Sequence, residues 1–289
     1  VLRQSISLMG YFPAIISYAY QAKNSYYDNQ SLHLHMPIRE LSTSENILRM
    51  LRPTGEYTDL EAKLLDICMI VHAEHGGGNN SSFATRLIST TGTDTYSAIA
   101  AAVGSLKGPR HGGANIAVVK MLENITQNVK DVGNRSALDD YLVKILRKKA
   151  NDRTGLVYGM GHAIYTMSDP RAKILKSMAK KLAISNNLLD GFFLCDYIEN
   201  RVPELYAEIH GKEVLMPANV DLYSGFVYHA LNIPDDIATP LFATARLAGW
   251  SAHRIEEISN VNKLMRPAFV SVQEKLDYVP LDKRKNTFI

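Results

Sequence analysis

With 289 residues and 46% hydrophobic content, the chain can bury one large core or two ordinary ones. Its formal net charge of +3, from 32 basic and 29 acidic residues with no long basic block interleaved with aromatics, excludes a nucleic-acid partner and leaves small anionic substrates compatible. Cys68 and Cys195, two cysteines in all, exclude a disulfide framework or a Cys-based zinc site and point to the cytoplasm, and no apolar run reaches the roughly 18 residues of a membrane span.

Nearly every segment follows the helical period, so the expected fold is all-α. Val1, Leu2, Ile6 and Met9 form an apolar pattern with no cap or signal peptide before it, and a natural N-terminal part is expected to be missing. The first helix reaches about residue 22 and gives way to the loop His33–Pro37. A second spans Ser44–Arg52 and stops at Pro53-Thr54-Gly55. Thr58 and Glu61 have capping-box spacing and open a third. Along it Leu64, Cys68, Val71 and His75 recur at intervals of four, three and four, which puts His75 on the inward stripe of a helix expected to end at Gly76-Gly77-Gly78. Short Ala/Ser-rich helices follow at Ser81–Thr91 and Asp94–Leu106.

After the turn Gly108–Asn115, a helix carries Ile116, Val119, Leu122 and Ile125. Gln127–Arg135 reads as an exposed turn, and Ser136, with Asp139 as its capping-box counterpart, opens the next helix. Periodicity fails from Asp152 to Pro170, where the loop Thr154–His162 is studded with glycine; loops of that length inside a compact protein carry function. Pro170 suits the first turn of a helix running through Ala172–Ala183. Two more helical patterns, about 188–208 and 221–231, precede Pro234 and a last helix that passes Trp250. From Arg266-Pro267 onward the chain is expected to be a polar wrap on the surface.

Several constellations carry possible chemistry. In Gly108-Pro109-Arg110-His111-Gly112-Gly113-Ala114-Asn115 the proline fixes one angle, the glycines allow close approach and unusual dihedrals, and the helix start keeps His111 neutral. The plain alternative is a turn leading into a helix with a surface histidine. His72 and His75, three apart around Glu74, read as a metal pair, as capping or core histidines, or as donors to an anion. The zinc metalloprotease spacing is four, however, and no further ligand is near. His162 and Arg171, beside the helix start at Asp169-Pro170, form an anion site or simply a capped helix with a solvated arginine. Asp221 is either an N-cap or a part-buried general base. Arg246, inside the apolar helix Phe242–Trp250, calls for an anionic partner. Lys144–Arg153 and Lys173–Lys181 read as solvated faces or as a share in holding a phosphorylated cofactor.

Taken in order, His72-Ala-Glu-His75 with Asn79, Gly108-Pro-Arg-His111-Gly-Gly-Ala-Asn115, Gly159-Met-Gly-His162 with Asp169-Pro-Arg171, Asn219-Val-Asp221 with Ser224-Gly225, Ala245-Arg246 and Arg266-Pro267 resemble citrate synthase and its 2-methylcitrate synthase relatives. The resemblance covers nearly the whole chain; the family's additional N-terminal region is what the chain lacks. It implies an almost wholly helical homodimer, with a large domain (1–111 and 227–289), a small domain (112–226) and hinges beside His111 and near Gly225. Asp221 would take a methyl proton from acetyl-CoA, His111 would hydrogen-bond the thioester oxygen, and His162 the ketone oxygen of oxaloacetate. His75, Arg171, Arg246 and Arg266 would hold oxaloacetate, with Arg266 reaching in from the partner subunit, and Tyr158, Gly159, Met160 and Gly161 would line the CoA recess. Acetyl-CoA then enters as co-substrate, with no metal and no tightly bound cofactor. The nearest alternative is 2-methylcitrate synthase acting on propionyl-CoA. The remote ones are a metal-dependent hydrolase using His72 and His75, and a non-catalytic helical interaction module.

Overall fold

A computed structural model describes residues 1–162, 165, 167, 169–261 and 263–284. Side-chain caps set where many of its helices begin. Ser42 and Thr58 each accept the N–H three residues on, from Glu45 and Glu61, and both glutamates reach back to the cap N–H, so α2 (Thr43–Leu51) and α3 (Asp59–His72) open on full capping boxes. Asp94 accepts the Ser97 N–H at 2.9 Å to open α5 (Thr95–Leu106), and Asp169, followed by Pro170, opens α8 (Pro170–Ser185). The other helices are α1 (Leu2–Tyr27), α4 (Asn80–Ser89), α6 (Ala114–Asn128), α7 (Arg135–Leu146), α9 (Leu189–His210), α10 (Val220–Ala230) and α11 (Asp235–Glu256). There is no strand among the described residues, only one isolated antiparallel bridge between Met160 and Ala218. The fold is all-α, as the helical period predicts.

Two sets of helices meet. α11 packs against α1, α3, α4, α5 and α6, while α10 packs against α6, α8, α9 and α3. Apolar burial joins them: one continuous cluster runs from Ile16, Leu48 and Leu64 through Val118, Ile145 and Leu182 to Tyr223 and Leu241. Each fully buried side chain of this size is worth about 1.5–3 kcal/mol. A smaller cluster of Ile99, Leu106, Leu247 and Trp250 fixes α5 to α11. None of the described helices is long and apolar enough to cross a membrane.

The structure departs from the periodicity at two helix ends. α3 stops at His72 rather than at the three glycines, because α11 takes the carbonyls a longer helix would use. Arg246 Nε donates to His72 O at 2.6 Å and Gly249 N donates to Ala73 O at 3.1 Å. Those two carbonyls would otherwise accept from the N–H groups of residues 76 and 77. His75 therefore lies beyond the helix and is not part of its stripe. Likewise α7 is capped by Asn134, which accepts the Ala137 N–H at 3.1 Å, and not by Ser136. Asp139 is drawn away to Tyr197 Oη at 2.7 Å and Arg201 Nε at 3.0 Å. The segment after Arg266 is exposed as expected, but it is not simply polar: Phe269 is 92% and Val272 98% exposed.

The approach of residues 73–74 to α11 depends on Gly249. A Cβ there would lie 2.1 Å from Glu74 Oε2 and 2.4 Å from Ala73 O. Gly→Ala within a helix normally stabilises by up to about 1 kcal/mol. Gly249→Ala is expected to reverse that sign and cost about 1–3 kcal/mol, whereas Gly10→Ala in α1, with nothing within 4 Å of its Cβ position, keeps the ordinary sign. Urea unfolding of the two variants side by side checks this.

Candidate active site

Five chain segments converge on one cleft of about 150 Å³: the stretch after α3, the turn before α6, the loop before α8, and the first turn of α10, closed by the middle of α11. Of the residues singled out from the sequence, His75, His111, His162, Arg171, Asp221 and Arg246 all line it, together with Asn79, Asn115, Asn219 and Phe242.

His111 is held by its turn through its own N–H and that of Gly112, both donating to Gly108 O at 2.9 and 3.0 Å. Gly112 is required for close approach, since a Cβ would stand 2.1 Å from Leu106 O; neither it nor Gly113 adopts a left-handed backbone, so the expected unusual dihedrals are not used. Burial, and then the Arg246 charge, lower the His111 pKa, so the imidazole is neutral as expected but for reasons other than the helix start. Its Nε2 lies 3.0 Å from Ser81 Oγ, which also receives Trp250 Nε1–H at 3.1 Å and donates to Asn79 Oδ1 at 2.9 Å. With the single hydroxyl proton on Asn79, His111 Nε2 is the donor. Turning the Asn79 amide, so that its Nδ2 donates to Ser81 Oγ, sends that proton to Nε2 and places the imidazole proton on Nδ1. The amide of Asn79 thereby selects the tautomer.

The anionic side of the cleft rests on Asp169, which is 1% exposed. Its carboxylate accepts Arg171 N at 2.9 Å, Arg171 Nε at 3.0 Å, Arg171 Nη2 at 2.8 Å and Val220 N at 3.1 Å. Burial works to raise its pKa, but the hydrogen bonds and charge of Arg171 outweigh that and hold it below the ordinary carboxylate range. Arg171 is thus pinned at the helix start, with Nη2 3.4 Å from His162 Nε2. His162 Nδ1 accepts the Tyr165 N–H at 3.0 Å; a proton on Nε2 completes the neutral ring only where Arg171 Nη2, itself a donor, does not also bond that nitrogen. Burial and the Arg171 charge lower its pKa against the opposing pull of Asp169. The His75 ring packs edge-on to His162 at 5.2 Å, and burial followed by Arg171 and Arg246 brings its pKa down to about 4.

Arg246 is 1% exposed, stacks over Phe242 at 4.7 Å and donates Nε to the His72 carbonyl. The anionic partner expected for it is not a protein carboxylate among the described residues, and its Nη1 is buried without a partner there. Burial holds its pKa down to about 10. Asp221 is not the N-cap of α10. Asn219 is, accepting the Asp221 N–H at 3.0 Å, and Asp221 is free to turn its carboxylate into the cleft. Dense surrounding protein pushes its pKa up to about 6, against the opposing pull of Arg171 and Arg246.

Four expected residues lie beside the cleft. Gly159, at φ 83° with Leu222 2.8 Å from its Cβ position, and Gly161 are zipped to the approach to α10: Asn219 N donates to Gly159 O at 2.9 Å and Gly161 N to Pro217 O at 2.8 Å. Met160 pairs with Ala218, and Tyr158 Oη bonds Asp152. Arg266 is exposed after α11, where Met265 N donates to Thr90 Oγ1 at 3.2 Å. The metal pairing of His72 with His75 is disfavoured by the fold. His72 is entirely buried against Phe242 and Tyr228, with burial lowering its pKa to about 3, while His75 lines the cleft. Asn79, Asn115 and Asn219 stood in the motifs without an assigned task, and Ser81 and Trp250 gave no signal as partners of His111 because they are 30 and 139 positions away from it or more.

This cleft sits within a family-wide match: the family model described as "Citrate synthase, C-terminal domain" matches residues 1–268. The chain belongs to the citrate synthase family. It is 39% identical to citrate synthase of Synechocystis sp. over 249 residues, covering 86% of this chain and 58% of that protein. It is 32% identical to the 2-methylcitrate synthase of Shewanella oneidensis over 284 residues, covering 96% and 65%. The ternary complex of carboxymethyl coenzyme A and oxaloacetate with citrate synthase from Thermoplasma acidophilum superposes with a TM-score of 0.76 at 27% identity, covering 97% of this chain and 68% of that one. The chain thus spans about 60% of the length of its curated relatives.

Asp221 provides a test that needs no substrate. Its folded pKa, about 6, lies above the unfolded value of 3.8, so ionisation favours unfolding and stability falls as pH rises from about 4 to about 6. Asp221→Asn removes that loss. It is expected to stabilise the chain at pH 7.5 by at most about 3 kcal/mol and to leave stability unchanged at pH 3. Urea unfolding at both pH values checks this, and an equal difference at the two would contradict a raised Asp221.

Proposed function

We propose that this chain carries the site at which acetyl-CoA condenses with oxaloacetate and water to give citrate and CoA, the activity named for its relatives. The observation that carries the reading is a carboxylate with a pKa near 6, Asp221, in one cleft with three neutral histidines, the buried Arg246 and the half-buried Arg171. A base poised there is ionised at neutral pH yet basic enough to take a weakly acidic proton.

Arg171 and Arg246 would take the two carboxylates of oxaloacetate, Arg171 as a fork pre-set by Asp169 and Arg246 through the Nη1 edge that faces no protein acceptor. His75 and His162 would flank the ketone, with the Nε2–H of His162 hydrogen-bonding its oxygen and polarising it. Asp221 would remove a methyl proton from the thioester. His111, in the tautomer with Ser81 donating to Nε2, would give its Nδ1–H to the thioester oxygen as the enolate forms. The carbon nucleophile then bonds the ketone carbon as the ketone π bond breaks onto oxygen; that oxygen becomes the citryl hydroxyl by taking up the proton that Asp221 removed, which returns Asp221 to its carboxylate, and water hydrolyses the citryl thioester. No step calls for a metal or a tightly bound cofactor; acyl-CoA is a co-substrate, and Tyr158, Gly159, Met160 and Gly161 would form part of its recess.

The domain division at 112–226 belongs to the same reading, with hinges beside His111 and near Gly225 that close the α6–α10 set over substrate. So does a homodimer in which Arg266 crosses to the partner's cleft. The exposed apolar side chains of the segment that follows, Phe269, Val272 and Leu276, support it, since none of the described residues covers them. A cytoplasmic location fits Cys68 and Cys195, both buried as separate thiols. The likeness to the Shewanella protein supports a second reading, 2-methylcitrate synthesis from propionyl-CoA with the same machinery.

In a version of the chain lengthened by the family's N-terminal region, Asp221→Asn is expected to reduce CoA release at least about a thousandfold, on the scale of removing a general base together with its charge. Oxaloacetate should still raise the melting temperature of that variant; near-normal turnover would refute the assignment. Thiol release with acetyl-CoA against propionyl-CoA decides between the two products, and because one methylene is worth only about 1–3 kcal/mol, both are expected to react at different rates.

A further inference from the structure

One polar side chain of the cleft has no task in the chemistry above. Asn115, the second residue of α6, is 6% exposed; its Nδ2 donates to Ser224 Oγ at 2.7 Å, and its Oδ1 has no hydrogen-bond partner among the described residues. Turning the amide does not cure this, because Ser224 would then bond Oδ1 and leave an N–H unmatched. A buried amide end without a partner costs about 1–3 kcal/mol, so the position suits a small polar occupant.

The same amide lines two cavities. In front is the cleft; behind it, among α6, the end of α10 and the start of α11, lies a second cavity of about 270 Å³ whose walls include Tyr228, His229, Asn232 and Asp235. Ala238 is the other residue common to both. A cavity holds water when it offers more than about 10–15 Å³ and two to four polar partners. The rear cavity meets the volume condition, has polar residues in its walls, and shares Asn115 and Ala238 with the cleft that holds Asp221.

The proposed reaction needs a water late, once acyl-CoA covers the open side of the cleft. We infer that the Asn115 amide is a positioning residue that admits this water from the rear cavity and holds it for thioester hydrolysis; this rests on reading the site as citrate-forming. The water oxygen bonds the thioester carbonyl carbon as the carbon–sulfur bond breaks. One water proton passes to the Asp221 carboxylate and from it to the departing thiolate, and the new carboxylic acid ionises to solvent, leaving citrate and the CoA thiol.

The two half-reactions separate under rapid quench of the full-length protein, one from acetyl-CoA and oxaloacetate to citryl-CoA, the other from added citryl-CoA to citrate. Asn115→Leu is expected to slow hydrolysis at least about tenfold, the loss of one hydrogen bond to a reacting group, while condensation stays within about threefold, so that citryl-CoA accumulates. Ser224→Ala cuts the α6–α10 tether but keeps the amide, and is expected to hydrolyse within about threefold of the parent. Ala238→Val narrows the same passage without touching Asn115 and is expected to repeat the selective loss, which keeps the test alive should the leucine variant not fold. Hydrolysis at the parent rate in both passage variants, an equal loss in both half-reactions, or a Ser224→Ala effect as large as that of Asn115→Leu would overturn the inference. A parent that neither condenses nor hydrolyses overturns the functional reading itself, a result distinct from these.

Discussion

A carboxylate that accepts four N–H groups ties the cleft together. Asp169 receives the backbone and side chain of Arg171 and the first N–H of α10, so a single buried charge joins the start of α8 to the start of the helix that carries Asp221. The electrostatics of the cleft follow from that clamp. Arg171 pairs with Asp169 through Nε and Nη2, which leaves Asp221 as the nearby carboxylate that burial can push upward. Were Arg171 turned to Asp221 instead, the base would be an ordinary ion-paired aspartate.

α11 supplies the opposite wall by a different device. Arg246 is held by a backbone carbonyl and an aromatic face and not by an acidic side chain, so its charge stays available to whatever enters the cleft. The same contact ends α3 early and delivers His75 into the site. The Arg246 bond to His72 O thus both helps to end the helix and holds the guanidinium at the wall of the cleft.

Much of this could be read from the residues alone, and the reasons for the failures are specific. The capping box at Thr58 and the helix starts at Asp94 and Asp169-Pro170 are local, a few residues long, and they form as read, while the equally local box at Ser42 lies two residues ahead of the start expected at Ser44. Of the six proposed site residues that line one cleft, five stand in short motifs at helix starts, ends and turns, and Arg246 stands out as the lone charge in the apolar stretch Phe242–Trp250. What periodicity misjudged was decided from far away in the chain: the end of α3 by Arg246 and Gly249, and the cap of α7 by the preference of Asp139 for Arg201. The contact of His111 with Ser81, and that of Ser81 with Trp250, are of the same kind.

The zipper between Gly159–Gly161 and Pro217–Asn219 has an evolutionary consequence. Gly161 and Asn219 are 58 positions apart yet share a hydrogen bond of 3.0 Å, so α8, α9 and their connections form an excursion whose two ends are clasped beside Asp221. Everything the cleft takes from it, His162, Asp169 and Arg171, lies within the first dozen residues past the clasp. The distal turn at His210-Gly211, where Gly211 is left-handed at φ 63° and open on all sides, can therefore lengthen or shorten among homologues without passing the change on to the base of the excursion. Length variation in this part of the family would record loop drift, not a change of chemistry.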